Sequence, residues 1–183
     1  MKPVTRNQLL VTKLGAKQLR TSQPSTKDIF SIKRRDIYIV CDNVLDTYNI
    51  GSIFRLADAV AAKCVYLCGE SETPPNSRIA KASIGCDKWV PWQYERTAKD
   101  AVLKIKNQIS NIKIVGIEQS TESKDFRKVE YKEPVAFVVG HETEGVSKEV
   151  LGLADEIVEI PMFGVNKSLN VMVSLAIVLY KVI

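Results

Sequence analysis

The chain has 183 residues, of which 45% are hydrophobic and 26% are charged, and it carries a formal net charge of +5. This length suffices for one well-buried domain, no apolar run is long enough to span a bilayer, and the N-terminus lacks the apolar stretch of a secretory signal. We therefore expect a cytoplasmic protein without a membrane partner.

The positive charge is concentrated at the N-terminus. Residues 1–36 hold nine Lys or Arg against two Asp, a net charge of +7, whereas the remainder holds 17 against 19. Because Lys and Arg neutralise phosphates and release counterions, this asymmetry favours a nucleic-acid partner. The alternative is a solvated arm without a partner. We predict that residues 1–36 form a basic extension, helical or partly mobile, ahead of a domain at 37–183.

The cysteines do not predict a metal site. Cys41, Cys64, Cys68 and Cys86 contain no C-x-x-C pair, and His141 is the only histidine, which leaves too few ligands for a typical zinc site. The first three cysteines lie in apolar, strand-like runs, which is typical of reduced core cysteines. We expect no bound metal.

The first predicted elements form a βαβ unit. Residues 37–41 are continuously apolar and rich in β-branched side chains, which is typical of a strand buried on both faces. Residues 63–68 have the same character. Between these strands, apolar residues recur at helical spacing from Ile50 to Ala61, which predicts an amphipathic helix.

The alternation of strands and helices continues to the C-terminus. The stretch from Glu70 to Val90 is less regular, and its length suggests a function or a partner contact. An α/β fold is implied, with a mostly parallel sheet and helices on both faces. Further strands are predicted at 112–117, 134–139 and 156–160, and helices near 78–83 and at 97–109 and 147–151.

The last predicted helix runs from Leu169 to about Val182 and is apolar on nearly every side. One face of a sheet cannot bury all of these side chains, and the helix is too short to cross a bilayer. We therefore predict a homodimer through the C-terminal helix.

Three segments carry candidate ligand-binding residues, and the first is N-I-G-S-I-F-R-L-A-D-A at 49–59. Asn49 and Gly51 are expected at the turn between strand and helix, where Asn49 is either an N-cap or a ligand-binding residue. With the apolar residues facing the core, Arg55 points away from it. Arg55 is either a solvated arginine or a donor to phosphate or ribose oxygens.

The second segment is V-V-G-H-E-T-E-G-V at 138–146. Gly140 ends a buried strand, so a ligand can approach the backbone closely at the carboxyl edge of the sheet, where α/β folds bind ligands. His141 has no obvious nucleophile or metal ligand as a partner, and we interpret it as structural or peripheral.

The third segment is I-P-M-F-G-V-N-K-S-L-N-V at 160–171, which joins a strand to the last helix. Its polar residues and free backbone amides at a helix start indicate a binding loop. The alternative is simple capping, with Ser168 as the N-cap. No G-x-G-x-x-G or G-x-x-x-x-G-K-[ST] sequence occurs, so a dinucleotide or a triphosphate has no conventional cradle.

Together and in this order, the three segments resemble motifs one, two and three of the SpoU/TrmH family of SPOUT RNA methyltransferases. The resemblance spans about residue 37 to the end of the chain. It implies a trefoil knot at the C-terminal side of the α/β domain, an exception to the usual absence of knots. It also implies S-adenosyl-L-methionine as the cofactor held in the knot, a homodimer, and methyl transfer to a ribose 2′-hydroxyl of tRNA or rRNA.

The resemblance further implies roles for individual residues. Arg55 is expected to activate the hydroxyl and Asn49 to hold the site, with support from Glu142, Ser168 and Asn170. The residues implied in cofactor binding are Ile117, Gly140, Ile160, Met162, Ser168 and Leu169.

Arginine is a poor general base because its guanidinium stays protonated in almost any environment. Our hypothesis is therefore that Arg55 stabilises the developing alkoxide and an adjacent phosphate, while solvent or RNA removes the proton.

Two other classes of protein are compatible with parts of the sequence. One is a knotted RNA-binding protein without methyltransferase activity, against which the retention of the five implied catalytic residues argues. The other is a nucleotide-dependent oxidoreductase on a Rossmann sheet, which lacks its glycine fingerprint here.

Overall fold

The computed structural model describes residues 13–183. Residues 1–12 of the predicted basic extension lie outside the described residues. The rest of the extension contains two short helices, α1 (Ala16–Thr21) and α2 (Thr26–Ser31). Ser25 caps α2, because its hydroxyl accepts a 3.2 Å hydrogen bond from the backbone N–H of Asp28.

The domain is built on a seven-stranded sheet in which all neighbouring strands are parallel. The strand order is β3-β2-β1-β6-β4-β7-β5. The predicted α/β class with a parallel sheet is confirmed. The strands are β1 (Arg35–Asp42), β2 (Ala62–Cys68), β3 (Trp92–Glu95), β4 (Lys113–Ile117), β5 (Lys124–Asp125), β6 (Val135–Gly140) and β7 (Glu156–Glu159).

The two outermost strands, β3 and β5, are absent from the sequence-based prediction. They contain four and two residues, and neither has a continuous apolar run. Their residues are exposed or only partly buried, so these strands lack the apolar signal that the central strands carry.

Helices cover both faces of the sheet, as predicted. Helices α3 and α7 pack on one face, and α5 and α6 pack on the other. Successive residues of β1 face opposite sides, so Ile39 joins the core under α3 while Val40 joins the core under α5. The helices of the domain are α3 (Thr47–Ala59), α4 (Ser77–Ser83), α5 (Ala98–Gln108), α6 (Lys148–Leu151) and α7 (Val171–Leu179).

Helix α3 begins earlier than predicted, so the interpretation of Asn49 as an N-cap is wrong. Asp46 is the N-cap, and its Oδ1 accepts a 2.8 Å hydrogen bond from the backbone N–H of Tyr48. Asn49 and Gly51 therefore lie within the helix. A Cβ on Gly51 would lie 2.6 Å from the carbonyl oxygen of Ile79, so glycine is needed there for close contact with α4.

Helix α7 is shorter than predicted at both ends. Asn170 is its N-cap instead of Ser168, since Asn170 Oδ1 accepts hydrogen bonds from the backbone N–H of Met172 and of Val173. At the other end, the N–H of Val182 bonds to the carbonyl of Leu179, three residues back, in a tightened turn. Within residues 13–183, no helix is both long and apolar enough to cross a membrane. The trefoil knot stays a prediction.

Candidate functional site

The carboxyl ends of three neighbouring strands meet at one edge of the sheet. Strands β6, β4 and β7 lie side by side and end at Gly140, Ile117 and Glu159. A cavity of about 630 Å³ opens there, and its wall is completed by the loop at 160–170 and the first turn of α7. Parallel α/β sheets bind their ligands at this edge.

All six residues implied in cofactor binding line this cavity, although they come from three separate parts of the chain. Which of them contact a ligand stays a prediction. These residues are Ile117, Gly140, Ile160, Met162, Ser168 and Leu169.

A hydrogen-bonded network joins the three sequence motifs beside the cavity. The amide Nδ2 of Asn49 donates a 2.9 Å hydrogen bond to Glu142 Oε1. The amide Nδ2 of Asn170 donates a 2.9 Å hydrogen bond to Asn49 Oδ1. Asn49 is only 7% exposed, and it therefore uses both ends of its amide to connect the turn after β6 with the cap of α7.

Both oxygens of the Glu142 carboxylate accept hydrogen bonds from the protein. Oε1 accepts from Asn49 and from the backbone N–H of Asp46 at 3.1 Å, and Oε2 accepts from the backbone N–H of Leu45 at 3.2 Å. Burial raises the pKa of Glu142, but these hydrogen bonds outweigh it and hold the pKa below its usual value. Glu142 is thus an ionised anchor for the start of α3.

Gly140 is required by the backbone of its own turn. A Cβ on Gly140 would lie 2.1 Å from the carbonyl carbon and oxygen of Gly145. The close contact already present at Gly140 is with the protein, and the approach of a ligand to this backbone stays a prediction.

Glu118 is a further site residue, and it is absent from the sequence-based prediction. Its Oε2 accepts a 2.7 Å hydrogen bond from the backbone N–H of Val146, and it occupies the space where a Cβ of Gly145 would be. Gly145 has a φ of +74°, which favours glycine independently. In the sequence, Glu118 could have been recognised as an acidic residue that directly follows a buried strand.

The loop at 160–170 is tied to the end of β4. The amide Nε2 of Gln119 donates a 2.7 Å hydrogen bond to the carbonyl oxygen of Lys167. Ser168 follows directly and is exposed at the cavity wall. This tie places the polar residues of the loop on the cavity side.

Arg55 does not lie at the cavity. It is exposed on α3, six residues or about 9 Å along the helix from Asn49, and it does not line the cavity. Its predicted role therefore depends on groups outside this cavity.

The charged side chains that line the cavity are mostly acidic. The acidic residues are Glu118, Glu142, Glu144 and Glu159, and the basic residue is Lys167. A ligand with a cationic sulfur and an ammonium group, such as S-adenosylmethionine, fits this lining because opposite charges attract in a partly buried site. In the part of the chain that the structure describes, no cluster of three or more potential metal ligands occurs.

A second cavity, of about 720 Å³, lies between the N-terminal extension and the segment 74–92. None of the predicted site residues lines it. Its wall includes Gln23 and Ile29 of the extension and Pro75, Asn76 and Trp92 of the domain.

Comparisons with known proteins identify relatives. The family described as the SpoU rRNA Methylase family matches residues 36–180. The tRNA (guanosine(18)-2′-O)-methyltransferase of Escherichia coli (strain K12) is 33% identical over 157 residues, which cover 84% of this chain and 66% of that protein. The chain thus spans slightly less than two thirds of the length of this relative.

Solved structures give the same family and fold. The crystal structure of the Aquifex aeolicus TrmH/SpoU tRNA modifying enzyme matches with a TM-score of 0.74 and 34% identity, over 91% of this chain and 79% of that one. The AdoMet-bound rRNA methyltransferase from Sinorhizobium meliloti matches with a TM-score of 0.74 and 27% identity, over 89% of this chain and 58% of that one.

Proposed function

The chain belongs to the SpoU rRNA methylase family, and from this membership we propose that it methylates a ribose 2′-hydroxyl of tRNA or rRNA with S-adenosyl-L-methionine as donor. The observation that carries the proposal is the network of Asn49, Glu142 and Asn170 beside the acidic cavity. The names of the relatives support RNA as the substrate, with both tRNA and rRNA represented.

The cofactor supplies a methyl group on a cationic sulfur. In the proposed reaction a bond forms between the ribose O2′ and this methyl carbon, the bond from the carbon to sulfur breaks, and the hydroxyl proton passes to solvent or RNA. Because the oxygen must approach in line with the breaking bond, positioning supplies much of the rate. The tie between Gln119 and Lys167 and the network through Asn49 provide such positioning.

Glu142 acts as a positioning residue in this proposal. Both of its carboxylate oxygens already accept hydrogen bonds from the protein, so it is poorly placed to take the proton of the ribose hydroxyl. Its role is to hold Asn49 and the start of α3. Ser168, exposed at the cavity wall, is available to either the cofactor or the RNA.

Arg55 acts on the RNA side of the reaction. Its exposed guanidinium is available to a phosphate and to the developing negative charge on O2′. It serves as an electrostatic stabiliser, since a guanidinium does not give up its proton.

The N-terminal extension supports RNA as the partner. Lys17, Arg20 and Lys27 are exposed on or beside α1 and α2. The extension is fixed to the domain, because Lys88 donates 3.1 Å hydrogen bonds to the carbonyl oxygens of Arg20 and Ser22. It therefore presents these charges from a defined surface.

A homodimer through α7 is part of the proposal. Val173 on α7 and Tyr180, its C-cap residue, are 37% and 53% exposed, and Phe163 in the preceding loop is 90% exposed. Large apolar side chains that are exposed on and before one helix favour burial against a second copy of the chain. Reduced cysteines and an RNA substrate fit the predicted cytoplasmic location.

The test is incubation of the purified protein with labelled S-adenosylmethionine and total RNA from a strain lacking the gene, followed by mapping of the labelled nucleotide. A single 2′-O-methylated position is expected. The alternative, a knotted RNA-binding protein without activity, predicts no labelling and no cofactor binding in calorimetry at high micromolar concentration.

A further inference from the structure

His141 lies at the cavity and is held in a closed turn. It follows Gly140 directly at the carboxyl end of β6 and is half-buried in the cavity wall. The backbone N–H of His141 donates a 3.0 Å hydrogen bond to the carbonyl of Gly145, and the N–H of Gly145 returns a 2.9 Å bond to His141. The residue is therefore not peripheral.

The imidazole ring is fixed by the same turn. Its Nδ1 accepts hydrogen bonds from the backbone N–H of Thr143 at 3.0 Å and of Glu144 at 3.2 Å. A ring nitrogen that accepts hydrogen bonds carries no hydrogen, so the proton of the neutral ring is on Nε2. Both the orientation and the tautomer of His141 are thus set by the protein.

The Nε2–H group has no hydrogen-bond acceptor among residues 13–183. A donor held at a cavity wall is satisfied by water or by a ligand. The four glutamates of this cavity accept hydrogen bonds and donate none when ionised, whereas Thr143, Ser168, Ser174 and Lys167 are other possible donors in its lining. His141 adds a donor whose orientation is already set by the turn and which carries no negative charge.

We propose that His141 is a cofactor-binding residue whose Nε2–H donates a hydrogen bond to an oxygen of bound S-adenosylmethionine. This inference rests on the proposed function. It gives His141 two separate tasks: Nδ1 holds the turn at 141–145, and Nε2 contacts the cofactor.

The two tasks can be separated by substitution. The Oδ1 of asparagine can replace Nδ1, because asparagine accepts hydrogen bonds from backbone N–H groups two and three residues ahead. Asn76 and Asn170 do so elsewhere in this chain. The variant His141→Asn keeps the turn and loses the Nε2–H donor, whereas His141→Ala loses both.

The experiment is calorimetric titration of the full-length wild type and both variants with S-adenosylmethionine, together with their thermal unfolding. His141→Asn is expected to unfold near the wild-type temperature and to bind roughly 3- to 10-fold more weakly, as the loss of one hydrogen bond predicts. His141→Ala is expected to bind at least as weakly and to unfold at a lower temperature.

Two results would overturn the inference while leaving the proposed function intact. In one, the wild type and His141→Asn bind the cofactor equally well, which would assign only the structural task to His141. In the other, His141→Asn weakens binding of a substrate RNA but not of the cofactor. Absence of cofactor binding by the wild type would instead remove the proposed function and this inference together.

Discussion

Asn170 and Asn49, 121 positions apart in the sequence, are joined by a 2.9 Å hydrogen bond between the Nδ2 of Asn170 and the Oδ1 of Asn49. Because Asn49 also donates to Glu142, this contact makes the starts of two helices and the turn after β6 one rigid unit. Glu142 and Asn170 of this unit also line the cavity. Substitutions that destabilise the unit are therefore expected to lower the proposed activity as well.

Asn49→Ala is expected to lower the free energy of unfolding by about 1 to 3 kcal/mol, because it leaves polar groups of Glu142 and Asn170 without their partner. Asn49→Asp is expected to cost more, since it places a second carboxylate against that of Glu142. Urea unfolding measures both. Asn107→Ala, an exposed asparagine of α5, is the matched control and should change stability by less than about 0.5 kcal/mol. Equal stability of Asn49→Ala and the control would contradict the role of the network.

The lowered pKa of Glu142 predicts a pH-dependent contribution to stability. Its pKa lies below the ordinary value of 4.5 in the folded state, so the ionised form stabilises the fold above pH 4.5. As the pH falls through the folded-state pKa, this stabilisation is lost. The wild type should therefore exceed Glu142→Gln in stability at pH 7, and the difference should shrink as the pH falls below about 4.5.

Chemical denaturation of Glu142→Gln at several pH values between 7 and 3 provides the measurement. Glu72→Gln, at an exposed loop position, is the control and should follow the wild type throughout. A stability difference between wild type and Glu142→Gln that stays constant with pH would show that charge on Glu142 is unimportant.

Substitution of Arg55 should affect turnover without affecting the fold. Because the side chain is exposed, Arg55→Ala should change the free energy of unfolding by less than about 0.5 kcal/mol. Methyl transfer should fall by at least roughly 100-fold, as for the loss of one electrostatic stabiliser, while cofactor affinity stays the same. Single-turnover kinetics and calorimetry separate the two quantities.

Arg55→Lys tests whether the planar guanidinium is needed, since lysine keeps the charge and lacks the fork of donors. Arg96→Lys, at an exposed position after β3, is the matched control. Near-normal turnover of Arg55→Lys would exclude a requirement for the planar group.

The basic extension should contribute to RNA affinity in a salt-dependent manner. Replacement of Lys17 and Lys27 by Gln should reduce the slope of log affinity against log salt by about 0.7 to 0.9 for each RNA phosphate that the protein no longer neutralises. Filter binding at a series of salt concentrations gives the slope. The control replaces Lys99 and Lys148, exposed on α5 and α6, and changes the net charge equally. Identical slopes for the two double variants would locate RNA binding elsewhere.

The apolar surface of α7 predicts the oligomeric state. Val173→Glu introduces a charge at an exposed apolar position and should convert a dimer to a monomer, because an unpaired charge is costly to bury. Sedimentation velocity measures the change. The matched control is Leu103→Glu, at a 38% exposed leucine of α5 on the opposite face, which should leave the dimer intact. A wild type that sediments as a monomer would refute the proposed interface.

The α/β class and the central strands could be predicted from the sequence alone. Runs such as 37–41 are apolar enough to form only strands buried on both faces, and the spacing from Ile50 onward fits one helix face. The three motifs likewise indicated the candidate residues. The sequence did not reveal the short edge strand β3, because its residues are exposed or only partly buried and form no apolar run.

The way in which these residues act together follows from the folded structure. The hydrogen bond that Asn170 donates to Asn49 depends on the strand order that brings β6 beside β4 and β1, and no local sequence pattern indicates that order. The roles of Asp46 and Asn170 as caps, and of Glu118 and His141 at the cavity, depend on which backbone N–H groups lie within about 3 Å. Local periodicity determines which residues are buried, whereas the distances between remote side chains are fixed only when the chain has folded.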